Sequence, residues 1–263
     1  MRLLCIDVGN TNTTLGLFEG SDLDAHWRVA TDTRRTADEW GLLVTGLLDG
    51  LQPPRQPGGL CLCSAVPVVL HEMRQMIADF FADTPSLLVE PGVRTGLPVL
   101  VDNPREVGTD RIANAVAAAH LTGGPCVVVD FGTATTFDVV SAQGQYVGGA
   151  IAPGVEVSLD ALGVHGAQLR QVELVKPRAV IAKNTVEALQ SGAVYGFAGQ
   201  VDRVVAQMRA QLGVEVGELP VIATGVLGAA VLRECESVTC HEPYLTMQGL
   251  RLIFERNDAG SSE

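Results

Sequence analysis

Aromatic residues are scarce in this sequence, at 5%, and basic residues are outnumbered by acids, with 18 Lys and Arg against 30 Asp and Glu. The net charge is −12, and no run of Lys or Arg is long enough to follow a phosphate backbone. Counterion release therefore has little to draw on, and no nucleic-acid partner is expected. No apolar stretch approaches the roughly 18 residues of a membrane helix, and the opening MRLLCIDVGN meets Asp7 before a secretory core could form. No membrane partner is expected either. A Walker A segment with its Gly-Lys-Ser/Thr end is missing, as is a G-x-G-x-x-G that opens a helix, which argues against P-loop and Rossmann nucleotide sites. His26, His71, His120, His165 and His241 are scattered and form no metal-ligand spacing.

What is present points to a packed α/β protein. Hydrophobic residues make up 47% of the chain and charged residues 18%, so a substantial core is available, built mostly from Val, Leu, Ala and Ile. Most of the six cysteines lie in apolar, strand-like runs, where a reduced protein buries them, and the expected location is the cytoplasm. Cys61 and Cys63 share one strand face by their i,i+2 spacing, but no further Cys or His nearby completes a metal site.

Residues 3–8 and 14–18 read as two strands joined by a Gly/Asn/Thr turn, with a third strand over Trp27–Thr31. Thr36 and Glu39 form a capping box for a helix to about Leu48, and Pro67 sits in the first turn of another. After a Pro/Gly-rich extended crossing over 85–104 come an alanine-rich helix from Asp110 to Leu121, a strand over 126–130 and a hairpin at Ala142–Gly144. Asn184 and Glu187 box a long helix from Thr185 to about Leu212, and the strand PVIAT precedes a last turn and helix.

One internal echo organises the chain. CIDVGNTNTTLGLF and VVVDFGTATTFDVV both read as strand, acidic-glycine turn, strand, followed by helical material. Two such units suggest pseudo-duplicated α/β lobes facing a cleft, with lobes over 1–120 and 121–256 and a frayed tail over 257–263.

The turns carry the candidate chemistry. In the first, Gly9 lets successive N–H groups face phosphate oxygens, Asn10, Thr11 and Thr13 add donors, and Asp7 can hold Mg²⁺ directly or through water. A tight hairpin whose Asn and Thr side chains satisfy their own backbone reads equally well from these residues. Asp130, Gly132, Thr133, Thr135 and Thr136 repeat the arrangement. In N-P-R-E-V-G-T-D-R, residues 103–111, Asp110 either caps the alanine-rich helix or accepts the proton of an alcohol nucleophile. Arg111 would then hold an anionic group of the substrate, and Gly108 would let the chain approach it. Gly192, Gly196 and Gly199 line one helix and suit close core or subunit packing, while Thr224-Gly225 either flanks an adenosine or makes a plain strand-to-helix turn.

The blocks D-V-G-N-T-N, G-T-D-R-I-A-N, D-F-G-T-A-T-T, G-G-A-I-A-P-G and K-N-T-V-E-A-L-Q-S-G, in this order, resemble the type III pantothenate kinases, and the closing P-Y-L-T-M-Q-G-L-R-L-I-F-E-R-N fits the same family. The resemblance implies the ribonuclease H-like α/β fold of acetate and sugar kinases, Hsp70 and actin, with two pseudo-duplicated lobes around a nucleotide cleft. It implies ATP-dependent phosphorylation of pantothenate to 4′-phosphopantothenate in coenzyme A biosynthesis. Asp7, Val8, Gly9, Asn10, Thr11, Asn12, Thr13, Thr14 and Thr133 would then bind ATP. Asp110 would be the general base, and Gly108, Thr109, Asp110, Arg111 and Thr185 would contact pantothenate. Asp130 would belong to a site for a monovalent cation, K⁺ or NH₄⁺, Mg²⁺ would accompany ATP, and the enzyme would be a homodimer.

Two positions depart from the family pattern. Val101 stands where a Tyr is common before D-N-P, and Val226 follows Thr224-Gly225 where a second Gly is common. A kinase for another small hydroxy acid and a non-catalytic regulatory or accessory protein of the same fold are the alternative readings.

Overall fold

The computed structural model describes residues 1–165, 172–215, 217–225 and 228–258. In chain order it runs β1 (Arg2–Val8), β2 (Asn12–Glu19), β3 (Asp22–Ala30), α1 (Ala37–Asp49), β4 (Gly59–Ser64), α2 (Pro67–Phe80), β5 (Ser86–Leu88) and α3 (Thr109–Thr122). There follow β6 (Cys126–Phe131), β7 (Ala134–Val140), β8 (Tyr146–Pro153), α4 (Val155–His165), α5 (Thr185–Leu212), β9 (Val221–Thr224), α6 (Ala229–Leu232), β10 (Cys240–His241) and α7 (Leu245–Asp258). Of the expected tail, residues 257 and 258 still belong to α7, and 259–263 lie outside the described residues.

The ends of these helices follow their local chemistry. Thr36 accepts from the Glu39 N–H while Glu39 accepts from the Thr36 N–H, the reciprocal pair expected of a capping box. Asn184 accepts from the Glu187 N–H at 2.9 Å, but the Glu187 carboxylate receives the Asn184 side-chain amide, at 2.8 Å, so this box closes through side chains. Gly213 ends α5 in the left-handed conformation at φ 67°, which a glycine adopts without strain. Among the described residues no helix is long and apolar enough to cross a membrane.

Contacts divide the chain into two units. The first comprises Met1–Gly96, Asp102–Ala117 and the chain from Thr246, around a sheet of order β3-β2-β1-β4-β5. β1, β2 and β3 form an antiparallel meander, and β4 and β5 run parallel to β1. One face, with Leu4, Ile6, Leu15, Leu17, Leu60 and Leu62, packs on α1 and α2 through Trp40, Val44, Met73 and Ile77. Cys5, Asp7 and Gly16 lie on the other face, with Cys61 and Cys63 as the direct neighbours of Cys5 and Asp7 on β4. Here α7 comes close: a Cβ at Gly16 would press on Met247, one at Gly59 on the Phe254 ring, and one at Gly249 on the backbone of Ala113 in α3. Glycine permits these approaches, and the Thr246 hydroxyl, 2.8 Å from Asn114 Oδ1, ties α3 to α7.

The second unit, Leu97–Val101 and Ala118–Leu245, holds a sheet of order β10-β9-β6-β7-β8. Its connectivity repeats the first: β6, β7 and β8 form the antiparallel meander, and β9 and β10 are the parallel additions. The duplication read from the two acidic-glycine turns is thus present strand for strand. Val127, Val129, Phe137, Val139, Val221 and Ala223 pack on α4, α5 and α6 through Leu159, Val201, Val205 and Val231. The extended crossing contributes residues 97–101, which run along β8: Tyr146 donates to the Pro98 carbonyl at 2.9 Å and receives the Leu100 N–H at 2.8 Å.

Two expectations need adjustment. β3 begins at Asp22 rather than Trp27: the exposed Asp22, Asp24, His26 and Arg28 alternate with the half-buried Leu23, Ala25, Trp27 and Val29, so the period-two pattern of an edge strand extends back to Asp22. The intramolecular packing expected at Gly192, Gly196 and Gly199 is not seen, since a Cβ at any of them would meet nothing within 4 Å among the described residues.

Candidate functional site

The first acidic-glycine turn closes β1 onto β2, with the Gly9 N–H donating to the Asn12 carbonyl at 3.0 Å. Asn10 and Thr11 are exposed at its tip, and Gly9 and Asn12 are half-buried. Val8 and Thr13, a directly paired couple, turn their side chains into the interior, so what they add at the surface is backbone. Thr14 pairs with Asp7 across the hairpin. The turn is braced from the end of β3. The Thr31 hydroxyl donates to the Gly9 carbonyl at 2.8 Å, lies 2.9 Å from the Thr13 hydroxyl, and the Thr31 N–H donates to the Thr11 carbonyl at 2.9 Å. Nothing in the sequence separates Thr31 from other threonines, and its part in the turn emerges only when β3 is paired.

Asp7 is half-buried at the end of β1, and the Cys63 thiol donates to its Oδ1 at 3.2 Å. Asp110, in the first turn of α3, is within electrostatic reach of the Cys63 sulfur, on which its charge acts together with that of Asp7. Burial, then the charges of Asp7 and Asp110, hold the Cys63 thiol well above the ordinary range, so it stays protonated as a donor. The Asp110 carboxylate folds back over Gly108, where Oδ1 fills the place a Cβ at Gly108 would need. Gly108 is therefore demanded by the Asp110 side chain itself. Thr109, beside it, has a buried hydroxyl oxygen with no hydrogen-bond partner among the described residues, and Arg111 is half-buried one residue beyond Asp110. The first unit thus gathers Asp7, Cys63 and Asp110, with Gly108, Thr109 and Arg111 alongside.

The second unit carries the other turn. Gly132 donates to the Ala134 carbonyl at 3.0 Å, and Gly154 to the Thr133 carbonyl at 3.0 Å. Gly154 rests against the Gly132 and Thr133 carbonyls so closely that no side chain fits there, and α4 starts at the next residue. Asp130 pairs with Thr136 on β7 and with Thr224 on β9. Gly225, at φ 85°, backs onto it: a Cβ there would lie 2.5 Å from the Phe131 carbonyl oxygen and 2.6 Å from Asp130 Oδ1. Two oxygens therefore converge on a space that only glycine leaves open. On the same sheet face Asp138 is fully buried, receiving the Tyr146 hydroxyl at 2.7 Å and the Thr136 hydroxyl at 3.1 Å. This network was not anticipated, since an Asp in an apolar strand shows no partner in sequence. Thr185 belongs to this unit, exposed at the start of α5. Val101 approaches Gly148, 3.9 Å from a Cβ there, and Val226 lies outside the described residues.

Among the described residues no three His, Cys, Asp or Glu side chains form a metal cage. Mg²⁺ needs none: it keeps several waters and binds through one or two carboxylates plus phosphate oxygens, so a single carboxylate such as Asp7 would suffice beside a bound phosphate. The Asp130 carboxylate and the Phe131 carbonyl are hard oxygen donors of the type that would hold a cation such as K⁺.

Comparison with known proteins places this geometry. A Thermus thermophilus ROK hexokinase superposes with a TM-score of 0.53 at 15% identity, covering 98% of this chain and 100% of its own. The activator of the 2-hydroxyisocaproyl-CoA dehydratase from Clostridium difficile, solved with bound ADPNP, gives 0.52 at 11% identity, over 100% and 98%. Such likeness establishes the two-lobed fold shared by acetate and sugar kinases, Hsp70 and actin. The type III pantothenate kinase of Streptomyces avermitilis is 59% identical over 261 residues, 97% of this chain and 98% of that protein. The profile of that family matches residues 3–207, across both acidic-glycine turns and the Asp110 segment, and the chain belongs to the type III pantothenate kinase family.

Proposed function

We propose that this protein transfers the γ-phosphoryl group of ATP to the 4′-hydroxyl of pantothenate, giving 4′-phosphopantothenate and ADP. The observation that carries the reading is that one unit holds both the acidic-glycine turn after Asp7 and the Asp110 segment, with both carboxylates in electrostatic reach of Cys63.

Phosphoryl transfer asks mainly for an aligned alcohol and for stabilised phosphate charge. The turn over residues 7–14 would cradle phosphate oxygens with backbone N–H groups and the Asn10, Thr11 and Asn12 side chains, and Thr133 would add a donor from the second turn. Asp110 would orient the pantothenate hydroxyl and take its proton as that oxygen bonds to the γ-phosphorus and the bond to the departing ADP oxygen breaks. The Arg111 guanidinium suits the pantothenate carboxylate, and the Thr109 hydroxyl, which has no hydrogen-bond partner among the described residues, suits a polar group of the same substrate. Asp7 would hold Mg²⁺, and Asp130 with the Phe131 carbonyl would hold K⁺ or NH₄⁺. When bound, these cations offset charge on the phosphates.

A homodimer is supported by apolar surface on the second unit. Val157, Leu162 and Val164 on α4, and Val180, Ile181 and Val186 around the start of α5, are all exposed within the chain. The open flank at Gly192, Gly196 and Gly199 adds room for a second copy. Thr185 sits in this strip, so a substrate contact through it would belong to the assembled dimer. Six free cysteines and the reaction's place in coenzyme A biosynthesis agree with a cytoplasmic enzyme.

The test is an ADP-coupled assay with ATP, Mg²⁺, K⁺ and pantothenate. Pantothenate-dependent ADP formation is expected. A folded protein that forms none would overturn the reading in favour of a regulatory role, and turnover only with other hydroxy acids would change the substrate.

A further inference from the structure

The same-face neighbour of each acid on the adjacent parallel strand is a small, buried residue with a polar hydrogen. Asp7 on β1 faces Cys63 on β4, and Asp130 on β6 faces Thr224 on β9, each partner 1% exposed. The preceding positions, Leu62 and Ala223, carry only apolar side chains. In the first unit this neighbour bonds the acid directly, Cys63 Sγ to Asp7 Oδ1 at 3.2 Å. Cys61, two residues earlier on the same face, pairs with Cys5 instead and has no part in this contact.

We propose that Cys63 is a positioning residue for phosphoryl transfer: its thiol donates to Asp7 Oδ1 and fixes the plane of that carboxylate at the phosphate turn. The proposal rests on the functional reading above. A carboxylate on an ordinary side chain rotates about its last bond, and one charge-assisted hydrogen bond to a buried donor removes that freedom.

The test compares Cys63→Ala, which removes the donor, with Cys63→Ser, which keeps a donor of similar size. Binding of Mg·ATP is measured by calorimetry without pantothenate, alongside kcat, both KM values and thermal melts. Cys63→Ala is expected to weaken Mg·ATP binding and raise the ATP KM roughly threefold to tenfold, as suits one hydrogen bond to a charged acceptor from a weak donor. The pantothenate KM should change much less, and Cys63→Ser should restore Mg·ATP binding to within about twofold of wild type. Unchanged Mg·ATP binding in a folded Cys63→Ala protein would overturn the proposal, as would a Cys63→Ser protein that binds as poorly as the alanine variant. If the wild type binds Mg·ATP but phosphorylates no pantothenate, the functional reading fails while the binding comparison still decides the role of Cys63.

Discussion

The Thr31 hydroxyl donates to the carbonyl of Gly9, 2.8 Å away, and so joins the end of an edge strand to the first acidic-glycine turn. With the Thr31 N–H on the Thr11 carbonyl, two of the turn's carbonyls are engaged from one residue. Thr31→Val keeps the shape and loses the hydroxyl. It should raise the ATP KM about 2- to 10-fold, the range of one net hydrogen bond, and lower the melting temperature by about 2–4 °C. Thr31→Ser should behave like wild type. An ATP KM untouched by Thr31→Val would show that the turn holds its form without this brace.

Asp110→Asn separates base from structural residue. Asp110 is the second residue of α3 and Gly108 stands at the cap, so the cap expected of Asp110 is not its role. Asn keeps the size and some hydrogen bonding, so the melts should nearly coincide, while kcat should fall by roughly 10²–10⁴-fold if the carboxylate takes the substrate proton. Near-wild-type kcat would leave only a structural role. Gly108→Ala is the companion variant: its methyl group would occupy the place of Asp110 Oδ1, so kcat should drop although Asp110 remains.

Gly225→Ala probes the second turn. The residue combines φ 85° with a Cβ position between the Phe131 carbonyl and Asp130 Oδ1, so alanine should destabilise the protein by about 1–3 kcal/mol. In the wild type, K⁺ or NH₄⁺ should support turnover and Na⁺ should do so poorly. Equal rates in buffer free of K⁺ and NH₄⁺ would remove the cation from the reaction, and Gly225→Ala should weaken whatever K⁺ activation exists.

Thiol chemistry offers a check on the burial of the first sheet. A raised pKa leaves less thiolate at a given pH, and burial raises those of Cys5 and Cys63 well above the ordinary range and that of Cys235 to about 12. Cys240, exposed on β10, should therefore be alkylated first, at a rate that climbs with pH while its thiolate fraction grows. Cys5, Cys61 and Cys63 should react only in denaturant. Labelling of Cys63 in native buffer, read by peptide mass spectrometry, would contradict this.

Assembly can be tested at Leu162 and Ile181, which are 47% and 87% exposed within the chain. Leu162→Glu with Ile181→Glu should shift a dimer to monomer by light scattering while the fold persists. A wild-type protein of monomer mass across the assay range would dismiss the dimer at once.

Much of the fold was legible because its signals are local. The Thr36–Glu39 box, Pro67 at a helix start, and the paired acidic-glycine turns each rest on residues within a few positions of one another. The first half of β3 was legible too, since Asp22 to Val29 alternate polar and apolar residues, but the brace from Thr31 depends on strand pairing that periodicity does not report. Cys63 illustrates the same limit. From sequence it is a buried cysteine in an apolar strand, and only the β1–β4 register sets it against Asp7. The position of Asp110 beside a necessary Gly108 was readable, but the reason for that glycine, the carboxylate folded over it, was not.

The contacts of α7 with Gly16, Gly59 and Ala113 also bear on how the protein is made. On a ribosome the strands that carry Asp7 emerge early, yet the helix that covers their Cys5 face is translated after the whole second unit. The first sheet must therefore wait with one apolar flank uncovered, a state in which chains of this size are prone to associate wrongly. Synthesis of α7 then completes a unit begun before the second sheet, so the first acidic-glycine turn reaches its finished surroundings only after the later-encoded sheet has been made.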